Sequence, residues 1–304
     1  TVRLDVVPAV ERLLALGEDH IIIGLPPAVP ASTAVNALQR GLAHRFTIES
    51  VVLACAPDAL EDHIWDHHTL FESGFTPVPD DQRTAGEFLV GELAFSDTVL
   101  LADPDLVPVD PQGRARGVQL LGELAPHADI TEDAAGIRPG RHDYAEATAR
   151  SVPGAVRVPA EPSASPFSTI TRRVRRPLHP ERFRHALATL ALGCCWLRGR
   201  LWIAAAPECR IALQGIGPRI WLENTGPWQP GQTPHPPADR TNDAGAQLDG
   251  HPDAGDPGSV LAVTGEDLDA AEIARLLAGC ELTDAEMAAG FAGLADPFGF
   301  TPTR

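Results

Sequence analysis

The sequence predicts two folding units of different class, a parallel α/β layer over residues 1–150 and an α+β unit over residues 167–304. Three observations predict them. Short, continuous apolar runs such as Ile48–Cys55 and Thr98–Ala102 alternate with amphipathic helical stretches, the pattern of strands buried on both faces. A stretch rich in Pro, Ser and Ala, residues 151–166, then breaks the alternation as a linker would. Beyond it the apolar runs lengthen and helices become few, which predicts an antiparallel sheet.

Each element follows from spacing. Val6, Val10, Leu13 and Leu14 share one face of a helix stopped by Gly17. His20–Ile23 reads as a short buried strand, followed by a Gly-Leu-Pro-Pro turn at Gly24–Pro27. Val35, Leu38 and Leu42 stripe the next helix, ending near Gly41, and Ile48–Cys55 is a second strand. Pro57 is suited to a first helical position, where its missing N–H costs nothing. Ala85, Phe88, Leu89 and Leu93 mark a helix that ends before Asp97, and Thr98–Ala102 is a third strand. Val118, Leu121 and Leu124 belong to another helix, and Ala128–Thr131 to a last short strand. Ligands of parallel sheets bind beyond the carboxyl ends of the strands, so the turns at Gly24–Pro27 and Asp103–Asp105 are where a site belongs.

In the second half, strands are expected from Phe167 to Arg176, Cys195 to Ala205, Arg210 to Gln214, Arg219 to Glu223 and Ser259 to Thr264. Helices are expected over His179–Leu192, Ala270–Leu277 and Asp284–Ala289. Residues 229–257 are rich in Pro, Gly and Asp with few apolar side chains, the composition of a mobile loop.

Composition narrows the function. All 24 basic residues are arginines, and against 41 acidic ones they leave a net charge of −17. A P-loop grips the β- and γ-phosphates with a lysine, and a Schiff-base enzyme needs a lysine amine, so neither chemistry is available within these residues. The negative surface disfavours general nucleic-acid binding and anionic membranes. No apolar run approaches the ~18 residues of a membrane span. Five irregularly spaced cysteines with no CxxC argue against a disulfide framework and point to a cytoplasmic protein. Thr1 is no initiator, and a fragment and a chain shortened at its N-terminus are both consistent with that start.

Several blocks in the second half carry a resemblance. They are Arg-Arg-Pro-Leu-His-Pro-Glu-Arg-Phe (175–183), Gly-Arg-Leu-Trp-Ile-Ala (199–204), Arg-Ile-Trp-Leu-Glu (219–223), Gly-Pro-Trp (226–228) and Leu-Thr-Asp-Ala-Glu-Met (282–287). In this order they resemble the C-terminal domain of the CobW family, similar to metallochaperone GTPases implicated in cobalt and zinc trafficking. Some branches are linked to zinc starvation and to ribosome hibernation. The resemblance implies a partial P-loop NTPase-like parallel sheet followed by a CobW C-terminal-like α+β domain. It implies zinc as the metal and a metal-receiving client protein or a ribosomal partner. GTP and magnesium follow only if a P-loop precedes Thr1, as would the family's Cys-x-Cys-Cys metal motif. Phe95–Leu101 resembles the strand leading to the family's guanine-reading Asn-Lys-x-Asp, which would fall at Ala102–Asp105. Only Asp105, the nucleotide contact, is retained, and the Glu-x-x-Gly expected near Gly24 is absent.

The residues themselves offer one metal candidate, Glu61-Asp-His-Ile-Trp-Asp-His-His68. A helix continuing from Pro57 sets His63 and His67 one turn apart, with Asp66 and His68 flanking them, a donor set suited to zinc. The same histidines border the Leu60/Ile64 stripe, where they would only fill a helix–loop contact. Cys194 and Cys195, adjacent on a strand, read as core packing, and the tryptophans of the second half as sheet anchors. The basic run Arg172, Arg173, Arg175 and Arg176 reads either as a solvated edge or as a contact for a phosphate or acidic partner. No GxSxG, HExxH or paired acids point to hydrolysis.

Overall fold

The structure is a computed structural model that describes residues 2–43, 46–104, 106–159, 166–228 and 258–300, with the backbone alone for 2–4. The loop expected over residues 229–257 lies outside the described residues. The chain divides into two compact units, Thr1–Ser151 and Val152–Arg304.

In the first unit, helices α1 (Val2–Ala15) and α2 (Ala31–Gly41) pack through Val7, Val10, Ala37 and Leu38. Three parallel strands follow in the order β1 (Val52–Cys55), β2 (Thr98–Leu101), β3 (Asp129–Thr131). Their register pairs Val52 with Thr98 and Thr98 with Asp129. After β1, a single tight turn at Pro57–Ala59 opens α3 (Leu60–Trp65), whose Leu60 and Ile64 are wholly buried. A β-carbon on Gly117 would lie 1.8 Å from the Pro57 carbonyl, so α5 (Pro111–Leu124) packs backbone-close on the turn that launches α3. Between them, α4 (Ala85–Phe95) starts on a Thr84/Glu87 capping box, and α6 (Tyr144–Arg150) closes the unit.

Two strand expectations need correction. Residues 20–23 form no strand: Ile21 packs against the α1/α2 core while Ile22 is 99% exposed. No neighbouring strand among the described residues takes their backbone groups, and an apolar run without a partner does not make a ladder. The strand expected from Ile48 shortens to Val52–Cys55 because loops claim the earlier backbone. Val51 exchanges bonds with Asp97, and the Glu49 carbonyl accepts from the backbone N–H groups of Arg141 and His142.

The second unit is a five-stranded antiparallel sheet in the order β4-β8-β5-β6-β7. Its strands are β4 (Phe167–Val174), β5 (Cys194–Leu201), β6 (Cys209–Ile216), β7 (Arg219–Pro227) and β8 (Ser259–Glu266). Helices α7 (Pro180–Leu190) and α8 (Ala270–Cys280) bury Phe183, Leu190, Ile273 and Leu277 against Leu197, Leu213, Leu261 and Val263. The short α9 (Asp284–Ala289) follows. His179 caps α7 by accepting from the Arg182 N–H at 3.4 Å. The stretch expected as a linker makes specific contacts before residue 160: the Arg157 carbonyl accepts from the buried Arg198 guanidinium at 2.6 Å.

Candidate metal centre

The centre begins where α3 ends. No glycine or proline stops this helix. Asp66 leaves it with an extended backbone (φ −67°, ψ 129°), and its Oδ1 accepts the His68 N–H at 3.0 Å. An aspartate bonding its own chain two residues on competes with helix propagation. His67 and His68 therefore lie beyond the helix, and the expected helical His63/His67 pair does not form. His63 instead sets its ring edge-on to Phe75, centroids 6.1 Å apart.

Three of the four expected metal residues do come together. Asp66 Oδ1 lies 2.6 Å from His68 Nδ1, and the His67 and His68 rings are 4.2 Å apart. One donor atom from each of Asp66, His67 and His68 falls within 4.8 Å of the others. Four tetrahedral ligands at zinc distances stand about 3.3 Å apart, so a small closure brings these donors into reach. Imidazole and carboxylate suit zinc chemically. The His68 backbone N–H, then its ring, hold the Asp66 carboxyl below its usual value, so the oxygen is anionic and ready to ligate. Both histidines are exposed.

A braced loop supports these donors. Leu70, 1% exposed, anchors it and donates its N–H to the Arg83 carbonyl at 2.7 Å. Thr69 bridges to Thr84, the residue that caps α4. Arg83 in turn binds Asp81 at 2.6 Å and the Ala28 carbonyl at 3.0 Å. The turn from Thr69 folds back on Asp66: Ser73 donates its N–H to the Thr69 carbonyl at 2.9 Å and its hydroxyl to Asp66 Oδ2 at 3.5 Å. Glu72 Oε2 accepts the Thr69 N–H at 2.8 Å and the Thr69 hydroxyl at 3.0 Å. Sequence reasoning missed Glu72 and Ser73, although Thr69-Leu-Phe-Glu72 has the spacing of a capping box.

Cys55, Cys194 and Cys280 are buried thiols. Burial, then the Asp58 charge, pushes the Cys55 thiol up to about 11, and burial takes Cys194 to about 12 and Cys280 to about 11. Thiols held protonated are poor metal ligands. Asp105 lies outside the described residues. Its neighbour Asp103 pairs with Arg114 at 2.9 Å, and Arg114 also reaches Glu132 at 2.8 Å. Of the basic run, Arg172 donates to the Ala270 carbonyl and Arg176 to the Leu282 carbonyl, so two of its members brace the second unit.

Residues 167–281 match the family described as the cobalamin synthesis protein cobW C-terminal domain. The zinc chaperone Rv0106 of Mycobacterium tuberculosis is 28% identical over 159 residues, covering 49% of this chain and 36% of that protein. The uncharacterized protein Mb0109 of Mycobacterium bovis matches with the same identity and coverage. The chain thus spans 36% of the length of the curated relatives it matches. The zinc-bound YjiA GTPase of E. coli aligns over 83% of this chain and 67% of its own at 14% identity, with a TM-score of 0.38, a likeness too loose to build on. No helix among the described residues is long and apolar enough to cross a membrane. The match to the CobW C-terminal domain thus falls on the antiparallel second unit, from β4 to the end of α8.

Proposed function

We propose that this chain handles zinc as cargo, holding the cation at Asp66, His67 and His68 and passing it to a client protein. The observation that carries the reading is the convergence of those three donors within 4.8 Å on a braced, solvent-facing loop. Exposure suits delivery, since a buried four-ligand shell would hold the ion as structure. A relative named as a zinc chaperone supports the choice of metal and of a client. In this reading the second unit, which carries the match to the CobW C-terminal domain, is the part that would contact that client. These 304 residues contain no lysine, so the phosphate grip of a P-loop is not among their own chemistry.

Calorimetric titration of the whole chain with zinc chloride, beside a His67→Ala/His68→Ala variant, tests the site. Losing an outer-shell partner alone costs about 10–100-fold in metal affinity, and losing two ligands exceeds that. Equal affinity of the two proteins would remove the cation from this loop. The family reading would then rest on a non-catalytic adaptor that binds a protein or ribosomal partner.

A further inference from the structure

Three donors leave a tetrahedral cation one position short. We propose that Glu72 is the exchangeable fourth ligand of the Asp66/His67/His68 centre, alternating between Thr69 and the cation; the proposal rests on the zinc reading above. The turn that carries Glu72 lies against the donors. Ser73, the next residue, reaches Asp66 Oδ2 with its hydroxyl, and Thr69, which Glu72 grips, directly follows His68. As it stands, the carboxylate is committed to the Thr69 N–H and hydroxyl and remains outside the three-donor group.

That commitment gives the site its exchange behaviour. Thr69 is half-buried but both of its bonds to Glu72 are exposed, so water can replace Glu72 there at small cost when it rotates towards the metal. The resulting set of two imidazoles and two carboxylates is one that zinc accepts. On transfer the steps reverse: a client's ligand takes the fourth position as the carboxylate returns to Thr69. No proton or electron need change hands, and the metal is never bare. A weak, competing fourth ligand thus separates a carrier from a structural zinc site.

The test uses the full chain with zinc chloride and, as a spectroscopic stand-in, cobalt(II) chloride. Glu72→Gln keeps an acceptor for Thr69 and so preserves the loop, and Glu72→Ala removes it. Both variants are expected to bind zinc at least tenfold more weakly than the unmodified chain. The visible absorption of bound cobalt should also shift, because one ligand oxygen is exchanged for water. If the unmodified chain binds zinc and Glu72→Gln binds it equally, the fourth-ligand assignment is wrong while the three-donor centre stands. Weaker binding with an unchanged cobalt spectrum makes Glu72 a distant charge and also overturns the assignment. Failure of the unmodified chain to bind either metal instead overturns the zinc reading itself.

Discussion

Gly117 shows how a single hydrogen atom lets α5 pack on the turn that launches α3. Its α-carbon faces the Pro57 carbonyl so closely that a methyl group would sit 1.8 Å from the oxygen. Both partners are backbone, so no side chain can turn aside, and helix and turn must separate. Gly117→Ala is expected to cost up to about 2 kcal/mol net, because overpacking of about 1–3 kcal/mol outweighs the ~1 kcal/mol gained from alanine's better helix propensity. Urea denaturation measures this; a stabilised variant would mean that the two segments part freely. The sequence made the residue types of the centre legible but not their grouping. His63, His67, Asp66 and His68 stand out as donors, yet which of them meet depends on where α3 stops. A side chain decides that stop: Asp66 bonds the His68 N–H, and His67 leaves the helical path. Helical periodicity carries no trace of such local competition.

Among the elements, α9 is held almost entirely at its start. It buries no residue, and Thr283 and Glu286 form a capping box. Glu286 also accepts from Arg182 of α7 at 2.7 Å, which joins the two helices. The Thr283 N–H, then Arg182, hold the Glu286 carboxyl down to about 2 from its ordinary 4.5. A depressed carboxyl contributes stability above its unfolded value and loses it as pH falls through the folded one. Glu286→Gln should therefore lower the melting temperature at pH 7, and the difference should close as pH falls from about 4.5 to about 2. Circular dichroism at both ends of that range is the check; an equal gap throughout would exclude the ionised carboxylate as the cause. Helices α2, α4 and α5 were readable because each pairs a periodic apolar face with a stop. Residues 20–23 failed as a strand because apolar content says nothing about whether a partner strand lies alongside. Helix α6 escaped notice with a single buried residue, Ala147, although Asp143 and Glu146 mark its start.

At the scale of the whole molecule, the two units bury separate cores and carry unequal shares of the tryptophan. Trp65 lies in the first, one residue before Asp66 and 42% exposed, while Trp196, Trp202, Trp221 and Trp228 lie in the second. Tryptophan emission therefore reads both units, and Trp65→Phe leaves only the second visible. A ligand that binds the folded state alone stabilises its own unit by mass action, about 2.7 kcal/mol at a hundredfold excess over the dissociation constant. With urea slopes of about 1–3 kcal/mol per molar, the first unit's midpoint should rise by about 1–3 M when zinc is present. The Trp65→Phe protein should show no zinc-dependent change in its fluorescence transition, since its four remaining tryptophans all belong to the second unit. Far-ultraviolet circular dichroism of that variant should still register the shift, because the cation stabilises the first unit whether or not Trp65 is there. If the four remaining tryptophans report the same displacement, zinc is stabilising the second unit, and the donors at Asp66, His67 and His68 are not where it binds.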